Sequence, residues 1–298
     1  MNNFHKSVLL DEVLELLQVK SKEKYIDATL GGGGHALGIL KSGGIVLGID
    51  QDKEALEHVA LKLKDKIETR DLTLAKGNFR DIDKIAHLNN FGKVKGILYD
   101  LGVSSHQIDE PKRGFSFLKD GPLDMRMDSE SPVTAEVLVN LLKKEDLIKI
   151  FSEFGQERRS FAIANAIVKK RKEKAIKTTG GLSKIIESVY GFRGEVSNFN
   201  KNEINKRVFQ ALRIAVNNEL ENLNESLIKA VGLLQSGGRL AVISFHSLED
   251  ISTKKVFENL ERENMGKIIT LKPIEATEEE KSENSRSRSA KLRVFEKN

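Results

Sequence analysis

Two rhythms of apolar residues alternate along this chain. Short continuous runs stand at Tyr25-Ile26 with Ala28 and Leu30, at Ile45 to Ile49, at Leu72 to Ala75, at Gly96 to Tyr99 and at Gly238 to Phe245. Runs of this length, closed by glycine or an acid, predict buried strands. Between Arg207 and Leu234 the spacing changes to three and four, through Val208, Leu212, Ala215, Val216, Leu220, Leu223, Leu227 and Val231. That spacing predicts one long amphipathic helix. Strands alternating with helices predict an α/β fold with a doubly wound parallel sheet.

The alternation stops after Asp100 and resumes near Arg207. The segment between reads as helices: Pro132 to Leu138, Glu145 to Phe151, and Arg158 to Lys174 with an apolar face of Phe161, Ile163, Ala164, Ile167 and Val168. The polar stretch Val189 to Lys206 predicts a mobile loop. These patterns divide the chain into a sheet domain of residues 1–110 and 205–298 and an inserted helical domain of residues 111–204. Met1 to Leu17 mixes charges with apolar residues and predicts an amphipathic helix, not a signal peptide. At the other end, Lys267 to Leu271 and Lys291 to Phe295 predict a terminal strand pair, with the charged, serine-rich Glu275 to Ser289 between them.

Candidate chemistry begins where the first strand ends. Leu30 is followed by Gly31-Gly32-Gly33-Gly34-His35, then a helical pattern, then a second strand closing on Asp50. Glycine lets backbone N–H groups approach a ligand that a Cβ would block. A helix N-terminus favours an anion, and an acid about twenty residues on can bind ribose hydroxyls. A P-loop would need lysine after the last glycine, and His35-Ala36 stands there instead. Gly31, Gly33 and Ala36 satisfy dinucleotide spacing, and an S-adenosylmethionine site needs the same elements. The terminal strand pair favours S-adenosylmethionine, because a dinucleotide fold would supply a second βαβαβ half.

Charge and composition narrow the partners. The chain has 298 residues and no cysteine, so disulfides and thiolate metal sites are excluded, and a reducing, cytoplasmic setting is expected. No apolar run has the length of a membrane span. The net charge of +5 falls in one place: residues 111–204 hold 18 Lys and Arg against 13 Asp and Glu, and the remainder holds 31 of each. A basic inserted segment beside a neutral sheet domain matches an electrostatic footprint for nucleic-acid phosphates.

Several further segments bear on function: His5-Lys-Ser-Val-Leu-Leu-Asp-Glu, Asp27-Ala-Thr-Leu-Gly-Gly-Gly-Gly-His35, Asp100-Leu-Gly-Val-Ser-Ser-His-Gln107, Arg113-Gly-Phe-Ser-Phe, Gly121-Pro-Leu-Asp-Met-Arg-Met-Asp128, Phe209 to Glu219, Ser244-Phe-His-Ser-Leu-Glu-Asp250 and Arg286 to Arg293. In this order, over nearly the whole chain, they resemble the bacterial 16S rRNA cytosine-N4 methyltransferases of the RsmH/MraW family. The resemblance implies a class I S-adenosylmethionine-dependent methyltransferase sheet. It implies methyl transfer to the N4 of a cytidine in the decoding centre of the small ribosomal subunit, with S-adenosylhomocysteine as product. It also implies that the insertion helps recognise the RNA. Carried over by position, it places the cofactor against Gly33, Gly34, His35, Asp50, Phe79, Asp100 and Gln107. The chain departs from the family before the Phe209 helix, where His-Pro-Ala-x-Arg is replaced by Glu203-Ile-Asn-Lys-Arg207, and at His106, where many relatives carry proline.

Cytosine's exocyclic amine is a poor nucleophile, so the reaction needs alignment and an acceptor for charge on the amine. Asp100, Asp124 and His246 are the candidate catalytic residues. Two of them have a plainer alternative: Asp124 as a turn carboxylate, His246 as a packed histidine ordering its loop. Ser247, His246 and Asp250 lie together but lack the nucleophile-elbow motif of a hydrolase. Two other functions are considered: an NAD(P)-dependent oxidoreductase, predicting a second mononucleotide-binding half, and a non-catalytic RNA-binding ribosome-assembly protein, predicting RNA binding without cofactor affinity. No metal ligand set is predicted.

Overall fold

The computed structural model describes residues 7–191 and 198–298. In chain order the elements are α1 (Leu10–Leu16), β1 (Lys24–Asp27), α2 (Gly34–Lys41), β2 (Ile45–Asp50), α3 (Lys53–Lys62), α4 (Lys64–Glu68), β3 (Leu72–Lys76), α5 (Ile82–Leu88) and β4 (Val94–Asp100). There follow α6 (Ser105–Asp109), α7 (Ala135–Leu141), α8 (Lys144–Glu153), α9 (Ser160–Arg171), α10 (Thr179–Val189), α11 (Asn198–Asn217) and α12 (Glu219–Leu233). The chain closes with β5 (Leu234–Ser244), α13 (Ser247–Arg262), β6 (Gly266–Ile268), α14 (Glu278–Glu283) and β7 (Lys291–Lys297).

The seven strands form one sheet in the order β3-β2-β1-β4-β5-β7-β6. Neighbours from β3 to β5 are parallel, and β7 pairs antiparallel with both β5 and β6. Alternate side chains feed two cores, one on each face. Ile26, Leu47, Ile97, Leu240, Val242 and Phe295 enter one; Tyr25, Val46, Leu98, Ala241, Ile243 and Val294 enter the other. This is the two-faced burial of a doubly wound sheet. Its parallel strands bring the acids Asp27, Asp50 and Asp100 to one edge, where ligands of such sheets bind.

The chain forms two compact units, residues 1–102 with 220–298, and residues 103–219. The second has its own core, from Leu123, Val139, Phe151, Ile163, Ile167, Leu182, Val208, Phe209 and Leu212 among others. The pattern-based boundaries at 110/111 and 204/205 therefore differ from these units. The apolar stripe of α11, starting at Ile204, packs in the helical core and takes its helix with it.

Three local readings change. The single helix expected over 207–234 is two helices, broken at Asn218, which takes a left-handed φ of 50°. Val208 and Leu212 before the break join the helical core, while Leu223, Leu227 and Val231 after it join the sheet core. Of the loop expected over Val189 to Lys206, residues 192–197 lie outside the described residues, and residues 198–206 belong to α11. That helix includes the altered Glu203 to Arg207 stretch. At the N-terminus the described helix is the short α1, and residues 1–6 lie outside the description.

Candidate active site

The glycine turn is shaped by its neighbours. Gly33 caps α2 with φ 71°, a left-handed conformation that costs a residue with a Cβ about 1–2 kcal/mol. A Cβ on Gly34 would collide with the Ser7 hydroxyl, so the close approach of the N-terminal segment fixes that glycine. Gly32 is different: a Cβ there meets nothing within 4 Å. Space stands open above the turn, as an approaching ligand requires. Lys62, on α3, braces the turn from behind by donating to the Gly32 carbonyl (3.0 Å).

Asp50 ends β2 and accepts the N–H of Gly31 at Oδ2 (2.8 Å) and that of Asp52 at Oδ1 (2.8 Å). It thereby ties the second strand to the turn after the first. Burial pushes its carboxyl up to about 6, opposed by those two donors and the Gln51 backbone. A carboxylate offers about four acceptor positions, so room for a ribose hydroxyl remains.

Asp100 ends β4. Its backbone N–H donates to Thr29 Oγ1 (2.6 Å), which locks it beside the glycine turn. About a quarter of the side chain (27%) stays accessible, yet Oδ1 is enclosed and has no hydrogen-bond partner among the described residues. Oδ2 lies 3.4 Å from Nδ1 of the buried His35. Burial pushes the Asp100 carboxyl up to about 7, with Arg286 opposing and Glu249 adding to the rise. Asp27, which the sequence reading passed over, is buried nearby and is also pushed up to about 6, first by burial, with His35 opposing and Asp100 and Asp50 adding.

Phe79 sits in a 3-10 turn (Phe79–Asp81) after β3, half-buried and edge-on to Tyr99 (5.6 Å between ring centres). A buried chain fixes this turn: Tyr99 Oη bonds to Ser226 Oγ, and Ser226 Oγ donates to the Phe79 carbonyl (2.6 Å). On the same helix face, Glu225 holds Arg80 by two bonds (2.8 and 3.1 Å) and Lys229 donates to the Arg80 carbonyl (2.6 Å). Ser226, Glu225 and Lys229 were not found from the sequence, since their role comes from α12 packing beside β4.

The remaining candidates have structural work. Gln107, in the helical unit, forms a capping box with Ser104: Oε1 accepts the Ser104 N–H (3.0 Å) while the Gln107 N–H donates to Ser104 Oγ (3.2 Å). Asp124, in the same unit, is gripped by the Arg126 guanidinium at 2.9 and 2.7 Å. Burial alone would raise its carboxyl, but this pairing outweighs burial and lowers it, so Asp124 is a poor proton acceptor. His246 caps α13: Nδ1 accepts the Glu249 N–H (3.4 Å), and Nε2 lies 3.1 Å from Glu249 Oε1. Asp124 and His246 thus make the contacts expected of their plainer alternatives, turn carboxylate and loop-ordering histidine. A hydrolase triad is excluded too, because Asp250 is paired with Arg293 (2.6 Å) and not with His246.

The sequence profile of the MraW methylase family matches residues 2–298. The chain belongs to that family. Relatives include the ribosomal RNA small subunit methyltransferase H of Clostridium botulinum strain 657, 44% identical over 311 residues and covering 98% of each chain. The protein of that name from Halothermothrix orenii has the same identity and coverage. Among solved structures, an rRNA methylase from Streptococcus thermophilus aligns over 97% of this chain and 93% of its own, at 12% identity and a TM-score of 0.43, a likeness too loose to add to the assignment. Within this family the sheet is a class I methyltransferase sheet, and its antiparallel β7 stands where a dinucleotide fold would continue a second parallel half. The oxidoreductase reading is dropped on that ground.

Proposed function

We propose that this protein transfers the methyl group of S-adenosylmethionine to the N4 of a cytidine in the decoding centre of small-subunit ribosomal RNA. One observation carries the site assignment: the enclosed, unpartnered Oδ1 of Asp100, beside an open glycine turn and the ribose-type acid Asp50. The relatives' shared name, ribosomal RNA small subunit methyltransferase H, supports the substrate class.

The cofactor, when bound, supplies a methyl group already activated on a sulfonium. The protein's part is to bind, orient and take up charge. Asp50 accepts the ribose hydroxyls. The N–H groups of Gly33, Gly34 and His35, at the start of α2, meet the methionine carboxylate. Phe79 packs on the adenine, held in place by Ser226. Asp100 Oδ1 accepts an N–H from a cationic or reacting amine, either the methionine ammonium or the target base. Burial makes that oxygen costly to leave bare and correspondingly selective for such a donor. Gln107 remains a proposed contact at the methionine end through its buried amide.

The helical unit is assigned to RNA recognition. Residues 103–219 hold 21 Lys and Arg against 16 Asp and Glu, so the chain's net charge of +5 stays within this unit. Lys169, Lys172 and Lys174 are exposed at the end of α9.

The test is methyl transfer from labelled S-adenosylmethionine to small subunits taken from cells lacking this protein, with the labelled nucleoside mapped by mass spectrometry. N4-methylcytidine at one decoding-centre position is expected. Label on another base or atom overturns the N4 assignment. Binding of RNA with no cofactor affinity would instead make this a non-catalytic assembly protein.

A further inference from the structure

His35 enters the proposed site through its backbone, at the start of α2, yet its side chain is among the most buried polar groups of the sheet unit, 5% exposed. Its two nitrogens face different partners. Nε2 lies 2.9 Å from the Val8 carbonyl, an oxygen that can only accept, so Nε2 carries a hydrogen. Nδ1 lies 3.4 Å from Asp100 Oδ2. A neutral ring protonated at Nε2 has its lone pair on Nδ1, and a carboxylate there presents a second lone pair. That contact is repulsive unless a proton sits between the two atoms.

We propose that the His35 imidazole is a positioning residue for methyl transfer: anchored by Val8, it shares one proton with Asp100 Oδ2 and so holds the carboxylate with Oδ1 left for an amine or ammonium donor. The inference rests on the methyltransferase reading of the site. Its consequence is directional. A cation arriving at Oδ1 draws negative charge onto Asp100, so the shared proton moves to Nδ1 and the imidazolium holds Oδ2 in place. No proton leaves the pair, and a carboxylate that burial disfavours becomes fully charged only when the ligand supplies the opposite charge.

The surroundings set the balance. His35 faces Asp27 at the end of β1 and Glu280 on α14, which both favour a protonated ring against the burial that disfavours it. Asp100 faces Arg286, after α14, which favours its ionised form, and Glu249 on α13, which opposes it. Glu280 Oε1 also accepts the Leu9 N–H (3.0 Å), so the segment that presents the Val8 carbonyl is itself pinned. Serine or asparagine at position 35 could fill space and donate one bond; only a two-nitrogen ring can hold both Val8 and Asp100 and also carry the proton.

Nitrogen-15 NMR of histidine-labelled, cofactor-free protein tests the shared proton directly, with the His35 signals identified by their loss in His35→Asn. The expected result is an unprotonated Nδ1 that accepts a hydrogen bond in the free wild type and becomes protonated when S-adenosylmethionine is added, with that change absent in Asp100→Asn. His35 signals that titrate identically with and without the Asp100 carboxylate would overturn the proposal. Calorimetry with S-adenosylmethionine between pH 5.5 and 8.5 then reads its role. His35→Ala should weaken binding roughly tenfold, while His35→Asn, which keeps a donor towards Asp100, should bind within a few-fold of wild type at pH 8.5 but weaken as the pH falls, because Asp100 must then release its proton to solvent, whereas wild-type binding stays nearly level with pH. An unchanged pH dependence in His35→Asn also overturns it, and that variant serves if the alanine protein does not fold. Wild-type protein that binds no S-adenosylmethionine would sink the methyltransferase reading, while the NMR result on the free protein would still decide the proton.

Discussion

At the scale of single residues, Asp50 and Ser226 carry different burdens that measurements can separate. Asp50→Ala removes the proposed ribose acceptor and frees the Gly31 and Asp52 N–H groups. Charge-assisted bonds of this kind contribute about 1.5–3 kcal/mol, so cofactor affinity by calorimetry should fall on the order of 10- to 100-fold. An unchanged affinity would remove Asp50 from the site. Ser226→Ala leaves the buried Tyr99 hydroxyl without its partner and unties the Phe79 carbonyl. It should cost about 1–3 kcal/mol in urea unfolding, with a weaker cofactor affinity because the turn carrying Phe79 loosens. The placing of Asp50, Asp100 and the glycines together was legible in the sequence because each position follows from residue type at a strand end. The local bonds of Gln107, Asp124 and His246 were less so, since they depend on backbone and charges that only the folded loops bring together. One signal was available: Ser104-x-x-Gln107 has the spacing of a capping box, which already assigns the glutamine a partner.

At the scale of elements, the basic end of α9 divides into two kinds of residue. Arg171 reaches across to the end of α7 and donates to the carbonyls of Val139 (2.8 Å) and Leu142 (2.7 Å). Lys169, Lys172 and Lys174 are exposed to solvent. Neutralising the three lysines should leave the melting temperature nearly unchanged and make the salt dependence of RNA binding shallower, by about 0.7–0.9 in slope for each phosphate that they neutralise. Arg171→Ala should instead destabilise the helical unit by about 1–3 kcal/mol, seen in denaturant unfolding. A salt slope unmoved by the triple lysine change would place the RNA elsewhere. Element boundaries show where pattern reading fails. α10 was missed because Thr179-Gly180-Gly181 reads as a turn, although the Thr178 side chain accepts the Gly181 N–H (3.1 Å) and starts the helix there. The break between α11 and α12 was hidden because the apolar spacing runs through Asn218 without a gap, while the two halves serve different cores. The strands, by contrast, followed the sequence closely, since burial on both faces demands unbroken apolar runs.

At the scale of the whole molecule, three acids at one sheet edge make stability depend on pH. Burial holds Asp27 and Asp50 at about 6 and Asp100 at about 7. The folded state therefore binds protons more tightly than the unfolded chain, whose aspartates titrate near pH 3.9. The resulting stability is complete below that value and is lost as the pH rises through 6 to 7. Cofactor-free protein should accordingly melt higher at pH 5 than at pH 8 on account of these groups. Asp100→Asn should melt on the order of 2–4 °C higher than wild type at pH 8, about 1 kcal/mol, and the difference should shrink at pH 5. Equal melting at pH 8 would show that the Asp100 charge is already compensated in the empty protein.

The contact of the N-terminal segment with the glycine turn bears on ligand binding. Ser7 packs against Gly34 and the Val8 carbonyl holds His35, so the segment leading into α1 forms one wall of the proposed site. A bulkier side chain at position 7 has no room beside Gly34, so Ser7→Phe should displace the turn and weaken cofactor binding in calorimetry, a distant change that reads out at the ligand.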